Sequence, residues 1–188
     1  MVSIRGLFFD LDGTLVNTYE ADFLAYRDAI NEVTGYIVSR EAFMTTNGME
    51  MKEKLKILVP TIKPNQFDHV AQRKKKYYPQ YLHKTVPNKT LIAFLSDLAK
   101  DHITALVTTA KRQNAEAVLA AYNLTDVFDY TVYGDDVTNA KPHPESYLKA
   151  LSLASLSAEE VLAFEDSRSG IEAAHAAGIK TIQIQSFS

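Results

Sequence analysis

Residues 8–18 read FFDLDGTLVNT. Two phenylalanines run into two acids, Asp10 and Asp12, and a glycine and a threonine, Gly13 and Thr14, follow. The stretch Ile4 to Phe9 is short and mostly apolar, as a buried strand requires. Two carboxylates therefore stand at the end of an apolar strand with no basic residue beside them. Either this is a polar turn leaving the strand, or it holds a cation and something negative. Acid-rich turns are common, so the remaining sequence has to decide.

From Tyr19 the period changes. Phe23, Tyr26, Ile30 and Val33 recur at three and four residues, which marks one face of a helix that Gly35 stops. Ser39 is placed to cap a second helix, Met49 to Leu58 is apolar-periodic but carries Lys52, Lys54 and Lys56, and Asn65 is placed to cap a helix running to about Tyr78. After Pro87 short apolar runs alternate with helical segments. Helices are expected over 88–100, 113–122, 144–151 and 169–177, and strands over 103–107, 130–133, 161–164 and 179–184. Ser157 and Glu160 form a capping-box pair before a single turn. Alternating strands and helices argue a mostly parallel sheet covered on both faces. The helical stretch is inserted between the first strand and the rest.

In such a sheet ligands bind beyond the C-terminal ends of the strands. The first strand delivers Asp10 and Asp12 there. ALVTTAK delivers Thr108, Thr109 and Lys111; TNAKPHPE contributes Lys141; VLAFEDS delivers Glu165, Asp166 and Ser167. Two acid pairs after two strands, with a lysine before a proline, say more than either pair alone. Uncompensated carboxylates repel and raise one another's pKa. A hard divalent cation relieves this, and Mg²⁺ takes one or two carboxylates together with substrate phosphate. Lys141 then neutralises phosphate oxygens beyond the metal's reach, and Thr108 adds a hydroxyl donor.

The bulk properties agree. The chain has 188 residues, 46% of them apolar, a net charge of −3 and no cysteine. Disulfides and cysteine-ligated zinc are excluded. Nothing in the charge balance steers the chain to nucleic acid or an anionic membrane. No stretch approaches the ~18–20 apolar residues of a membrane span. A cytoplasmic protein, monomeric or weakly dimeric, is expected.

Four motifs in order, Phe9–Leu15, Thr108, Lys141 within AKPHPE, and the acid pair in FEDSRSGIEAAHAAG, make the chain resemble the haloacid dehalogenase-like hydrolase superfamily. The resemblance is to the phosphatase and beta-phosphoglucomutase-like branch with a helical cap. It implies a Rossmann-like parallel sheet sandwiched by helices. The core takes residues 1–17 and 83–188, and a small all-helical cap takes 18–82. It implies a Mg²⁺-dependent phosphate monoester hydrolase acting on a small phosphorylated metabolite, such as a sugar phosphate. Asp10 is then the nucleophile that becomes an aspartyl-phosphate, and Asp12 the general acid/base. Lys141 and Thr108 hold the transferred group. Asp10, Asp166 and the backbone carbonyl of Asp12 bind Mg²⁺, and Glu165 acts through water or by holding Lys141. The dehalogenase branch lacks an acid two residues after its nucleophile, so Asp12 speaks against that activity.

Other residues keep two readings. Thr109 offers a side-chain contact or only its N–H. Lys111 touches phosphate or is solvated. Ser167 is a helix cap or a hydroxyl near the metal. Tyr77, Tyr78 and Tyr81 beside Lys74–Lys76 are read as cap surface rather than a stacking platform for nucleic acid. Similar sugar phosphomutases carry a histidine at the place of Asp22 and an arginine near Met51, the latter aligned through Gly48. Neither is present, so a phosphatase is preferred over a phosphomutase. A non-catalytic binding protein is a further alternative, disfavoured because every catalytic position is filled.

Overall fold

The computed structural model describes residues 3–46, 49, 51–185 and 187. In chain order, β1 (Gly6–Phe9) and the short β2 (Val16–Asn17) lead into four helices: α1 (Tyr19–Thr34), α2 (Arg40–Met44), α3 (Met51–Leu58) and α4 (Phe67–Tyr77). Next come β3 (Val86–Pro87), α5 (Lys89–Leu98), β4 (Ile103–Val107), α6 (Arg112–Ala121) and β5 (Tyr130–Val132). The chain continues through α7 (Glu145–Ala154), β6 (Val161–Glu165), α8 (Arg168–Ala176) and β7 (Lys180–Gln183). Two compact units result, Met1–Asn17 with Val86–Ser188, and Thr18–Thr85.

The first unit is built on a parallel five-stranded sheet of order β5-β4-β1-β6-β7. The first strand in sequence is thus central in space, paired on one side to β4 and on the other to β6. This explains its composition. All four residues of β1 are buried, because a central parallel strand is covered on both faces. Alternation sends Phe8 and Phe9 to opposite faces. Phe8 joins Ala105, Val107, Val132 and Ala163 against Tyr147, Ala150, Leu151 and Ala154 of α7 and Ala173 and Ala174 of α8. Ala173 and Ala174 of α8 are thus packing residues of this core. On the other face Phe9 stacks on Phe164 with ring centroids 4.4 Å apart, and Phe94 of α5 meets Phe164 edge-on. Each such side chain taken fully out of water is worth about 1.5–3 kcal/mol.

A ribbon not anticipated from sequence completes this unit. β2 pairs antiparallel with β3, Val16 opposite Pro87 and Asn17 opposite Val86. Asn88 fastens it, donating its backbone N–H to Leu15 O at 2.8 Å while its side chain accepts from Leu91 N and so caps α5.

The second unit is helical. Phe23, Tyr26 and Ile30 of α1 bury against Phe43, Leu55, Leu58 and Val70. Phe43 sits among the rings of Tyr19, Phe23 and Tyr26 at 5.5–5.8 Å. Ser39 caps α2 as expected, accepting from Ala42 N at 3.2 Å. Asn65 does not cap α4. It lies inside a 3-10 turn, Pro64–Gln66, that precedes the helix, since Pro64 opens a turn without needing its missing N–H. The tyrosines of the Lys74–Lys76 stretch are engaged internally. Tyr78 is buried, Tyr77 donates to Glu32 at 2.7 Å, and Tyr81 donates to Asp28. Asp22 takes Lys74 at 2.6 Å and Lys54 at 3.9 Å. Gly48 lies outside the described residues. No helix among the described residues is long and apolar enough to cross a membrane.

Candidate active site

The site follows from strand register. Phe9 is level with Leu106 of β4 and Phe164 of β6. The next residues out of each strand are therefore neighbours at the C-terminal edge: Asp10, Val107 then Thr108, and Glu165 then Asp166. Asp10 keeps its place by donating its N–H to Phe164 O at 3.0 Å, and Thr108 by donating to Val132 O at 3.0 Å. The loop before α7 brings in Lys141, 131 residues from Asp10 in sequence.

Lys141 is the hub. Its Nζ donates to Asp10 Oδ1 at 2.8 Å, to the Val107 carbonyl at 2.8 Å and to Glu165 Oε1 at 2.5 Å. Glu165 Oε1 also accepts from the Tyr147 hydroxyl at 2.6 Å. Asp166 Oδ1 accepts from Thr14 Oγ1 at 3.1 Å. Thr108 Oγ1 accepts from Ala110 N at 3.0 Å and stands 3.4 Å from Asp12 Oδ2. Asp10, Lys141, Thr108 and Glu165 are all buried, while Asp12 and Asp166 are half-buried.

Electrostatics show what this cluster lacks. Burial drives the Asp10 carboxyl well above the ordinary carboxylate range; Lys141 opposes this, and Glu165, Asp166 and Asp12 add to it. Burial, then Glu165, raises Asp166 as well. Burial works against the Lys141 charge, yet Asp10, Tyr147 and Glu165 outweigh it, so the ammonium is held well above its ordinary value. Burial also raises Tyr147, which stays a phenol and a donor. Asp10, Glu165 and Asp166 each offer an oxygen within 4.8 Å of the others. One lysine cannot balance three carboxylates. Glu165 Oε2, moreover, is buried without a hydrogen-bond partner among the described residues. All-oxygen donors and excess negative charge fit a hard divalent cation.

The expected residues divide into those gathered and those left outside. Asp10, Asp12, Thr108, Lys141, Glu165 and Asp166 form one cluster. Thr109 is exposed, and its side chain makes no hydrogen bond to the cluster among the described residues. Its carbonyl instead approaches Gly134 so closely that a Cβ there would stand 2.3 Å away. Lys111 is an exposed residue at the start of α6, with no bond to the cluster among the described residues. Ser167 resolves as a helix cap, accepting from Gly170 N at 3.1 Å.

Three participants escaped the sequence reading. Thr14 and Tyr147 contact the acids only through the fold; the one available signal was Thr14 inside the first motif. Gly170 is required because a Cβ there would lie 2.0 Å from Glu165 Oε2.

The chain is similar to known proteins over nearly its whole length. The family model of the haloacid dehalogenase-like hydrolases matches residues 7–184. The phosphorylated carbohydrates phosphatase of Thermotoga maritima is 32% identical over 184 residues, covering 95% of this chain and 84% of that protein. The pyrophosphatase PpaX of Bacillus cereus is 30% identical over 183 residues, covering 96% and 83%. The crystal structure of CbbY from Rhodobacter sphaeroides in complex with phosphate aligns with a TM-score of 0.85 at 25% identity, over 98% of this chain and 87% of that one.

Proposed function

The chain belongs to the haloacid dehalogenase-like hydrolases, and from that premise we propose that it hydrolyses phosphate monoesters of small metabolites, sugar phosphates foremost, through an aspartyl-phosphate. The observation that carries this is the Lys141 ammonium bridging Asp10 and Glu165 beside Asp166 at the open edge of the sheet. The relative from Thermotoga maritima, described as acting on phosphorylated carbohydrates, supports the substrate class.

Asp10 is the nucleophile. One carboxylate oxygen attacks phosphorus, the bond from phosphorus to the ester oxygen breaks, and the enzyme carries an acyl phosphate. Asp12, two residues on, gives its proton to the leaving oxygen. It then takes a proton from water as that water attacks the aspartyl-phosphate, returning free Asp10 and inorganic phosphate. Thr108 and Lys141 hold the phosphoryl oxygens as charge shifts in the transition state. Asp10, Asp166 and the Asp12 carbonyl would hold Mg²⁺, with Glu165 holding Lys141. When bound, the cation supplies the positive charge that lets a phosphate approach several carboxylates. A hydrolase is preferred to a mutase because Asp22 stands where similar mutases carry a histidine, and Lys74 and Lys54 already engage it.

The test is phosphate release across a panel of sugar phosphates, nucleoside monophosphates and pyrophosphate, with Mg²⁺ and after chelation. It is joined to rapid-quench detection of phosphoprotein. Wild type should turn over only with the cation, and Asp10→Asn should form no phosphoprotein. Asp12→Asn should lose ~10²–10⁴-fold in steady-state rate, less in its first turnover when the leaving group needs no proton. Phosphoprotein in Asp10→Asn would sink the mechanism.

A further inference from the structure

We infer that Tyr147 is a positioning residue whose hydroxyl, acting through Glu165, keeps the Lys141 ammonium aimed at Asp10. The kinetic consequence rests on the phosphoryl-transfer reading above; the geometric one does not.

A lysine is a flexible stem carrying three donors, and its aim is set by whatever accepts them. All three are used here: Asp10 Oδ1, the Val107 carbonyl and Glu165 Oε1. The Val107 carbonyl is fixed by the β4 backbone. Asp10 is the group to be served. Glu165 is therefore the adjustable partner, and what fixes Glu165 fixes the lysine. Its Oε2 has no partner among the described residues and stands against Gly170, where no Cβ fits. Among the described residues its Oε1 carries every bond the carboxylate makes, and apart from Lys141 the donor is the Tyr147 hydroxyl at 2.6 Å. Held by the lysine alone, the carboxylate would travel with it. Tyr147 is the second point of attachment, fully buried on α7 among Phe8, Ala163 and Ala173. Its ring also faces Lys141, with Nζ 5.1 Å from the centroid. One side chain thus anchors the carboxylate and confines the ammonium.

Removing the hydroxyl leaves Glu165 Oε1 with Lys141 as its remaining donor. The unshared charge then draws the ammonium toward Glu165 and off Asp10. Tyr147→Phe isolates this effect, since it keeps the ring and the packing. The crystal structure of the variant should show Lys141 Nζ beyond hydrogen-bond reach of Asp10 Oδ1. Its kcat, read well below its melting temperature, should fall by ~10–100-fold, the worth of a hydrogen bond to a charged group, with KM little changed. Tyr147→Leu, which also loses the ring, should melt lower than Tyr147→Phe. A tyrosine that only packs would lower the melting temperature and leave kcat alone.

Lys141 still bonded to Asp10 in Tyr147→Phe overturns the assignment whatever the rate. A displaced Lys141 with unchanged kcat overturns its kinetic half. If wild type shows no phosphatase activity, the functional reading fails separately, and the position of Lys141 in the variant still decides the geometry.

Discussion

Gly13 satisfies two constraints that no other residue could meet together. Its φ is +95°, a region that side chains avoid, and a Cβ built on it would stand 2.1 Å from Asp166 Oδ2. The glycine lets the turn after β1 close against the acid that follows β6, and Thr14, 152 residues from Asp166 in sequence, bonds that acid at 3.1 Å. Gly13→Ala should therefore do more than strain a turn. It should push Asp166 out of the cluster and weaken divalent-cation binding by ~10–100-fold, the usual effect of disturbing a group that orients a ligand. Calorimetric titration with Mg²⁺ measures this, and unchanged affinity would show that Asp166 does not need its present place. At this scale the sequence was most legible where chemistry dictates residue type. Acids after β1 and β6, a hydroxyl after β4 and a lysine before proline could be placed without coordinates. Tyr147 and Gly170 could not, because a tyrosine on a helix face and a glycine in an alanine-rich helix have ordinary packing explanations. Their role exists only in the distance to Glu165. Lys111 kept two readings in the sequence, phosphate contact or solvation, and it stands exposed at the start of α6.

Helix α8 starts two residues after Asp166, with Ser167 between them, so its first turn affects both fold and site. Ser167 accepts from Gly170 N at 3.1 Å and satisfies one of the open amides of that turn. A capping hydroxyl is worth about 1 kcal/mol, which shifts the melting temperature of a chain of this size by about 2–4 °C. Ser167→Ala should show that loss in thermal melts and nearly wild-type turnover per folded molecule at low temperature. A large fall in Mg²⁺ affinity would instead assign the hydroxyl to the metal. Elements with a long apolar stripe, such as α1 with Phe23, Tyr26 and Ile30, were readable from periodicity alone. The β2–β3 ribbon was not. Its strands are two residues each and one contains Pro87, so it has neither alternation nor length to register. α4 was found but its start was misplaced, because Asn65 is a good cap by type while Pro64 had already committed the chain to a separate turn.

Across the whole molecule, the charges of the cluster tie stability to pH and to metal. Asp10 and Asp166 have pKa values raised above those of an unfolded chain. Between the unfolded value of about 4 and the raised folded value, the native state binds more protons than the unfolded state. Stability contributed by these two acids is therefore present at low pH and lost as pH rises through that window. Lys141, also raised, contributes stability that is intact throughout and lost only in strong alkali. Glu20, Asp136, Glu145 and Glu160 have lowered values, that of Glu160 about 2, and contribute stability above the unfolded value that is lost as pH falls. The two groups oppose each other, so a single melting curve against pH would mix them. The difference between melts in Mg²⁺ and in chelator separates them, because the cluster is the proposed cation site. A cation must displace the protons that burial and mutual repulsion place on Asp10 and Asp166. Stabilisation by Mg²⁺ should accordingly be small near the unfolded carboxylate value of about 4 and grow as pH rises through the raised folded values of Asp10 and Asp166. At 100 times its dissociation constant the cation adds about 2.7 kcal/mol. Asp166→Asn should flatten the dependence, since its carboxamide neither titrates nor binds the cation well. A Mg²⁺-induced shift that is constant with pH, or equally large in Asp166→Asn, would mean that the cation binds elsewhere.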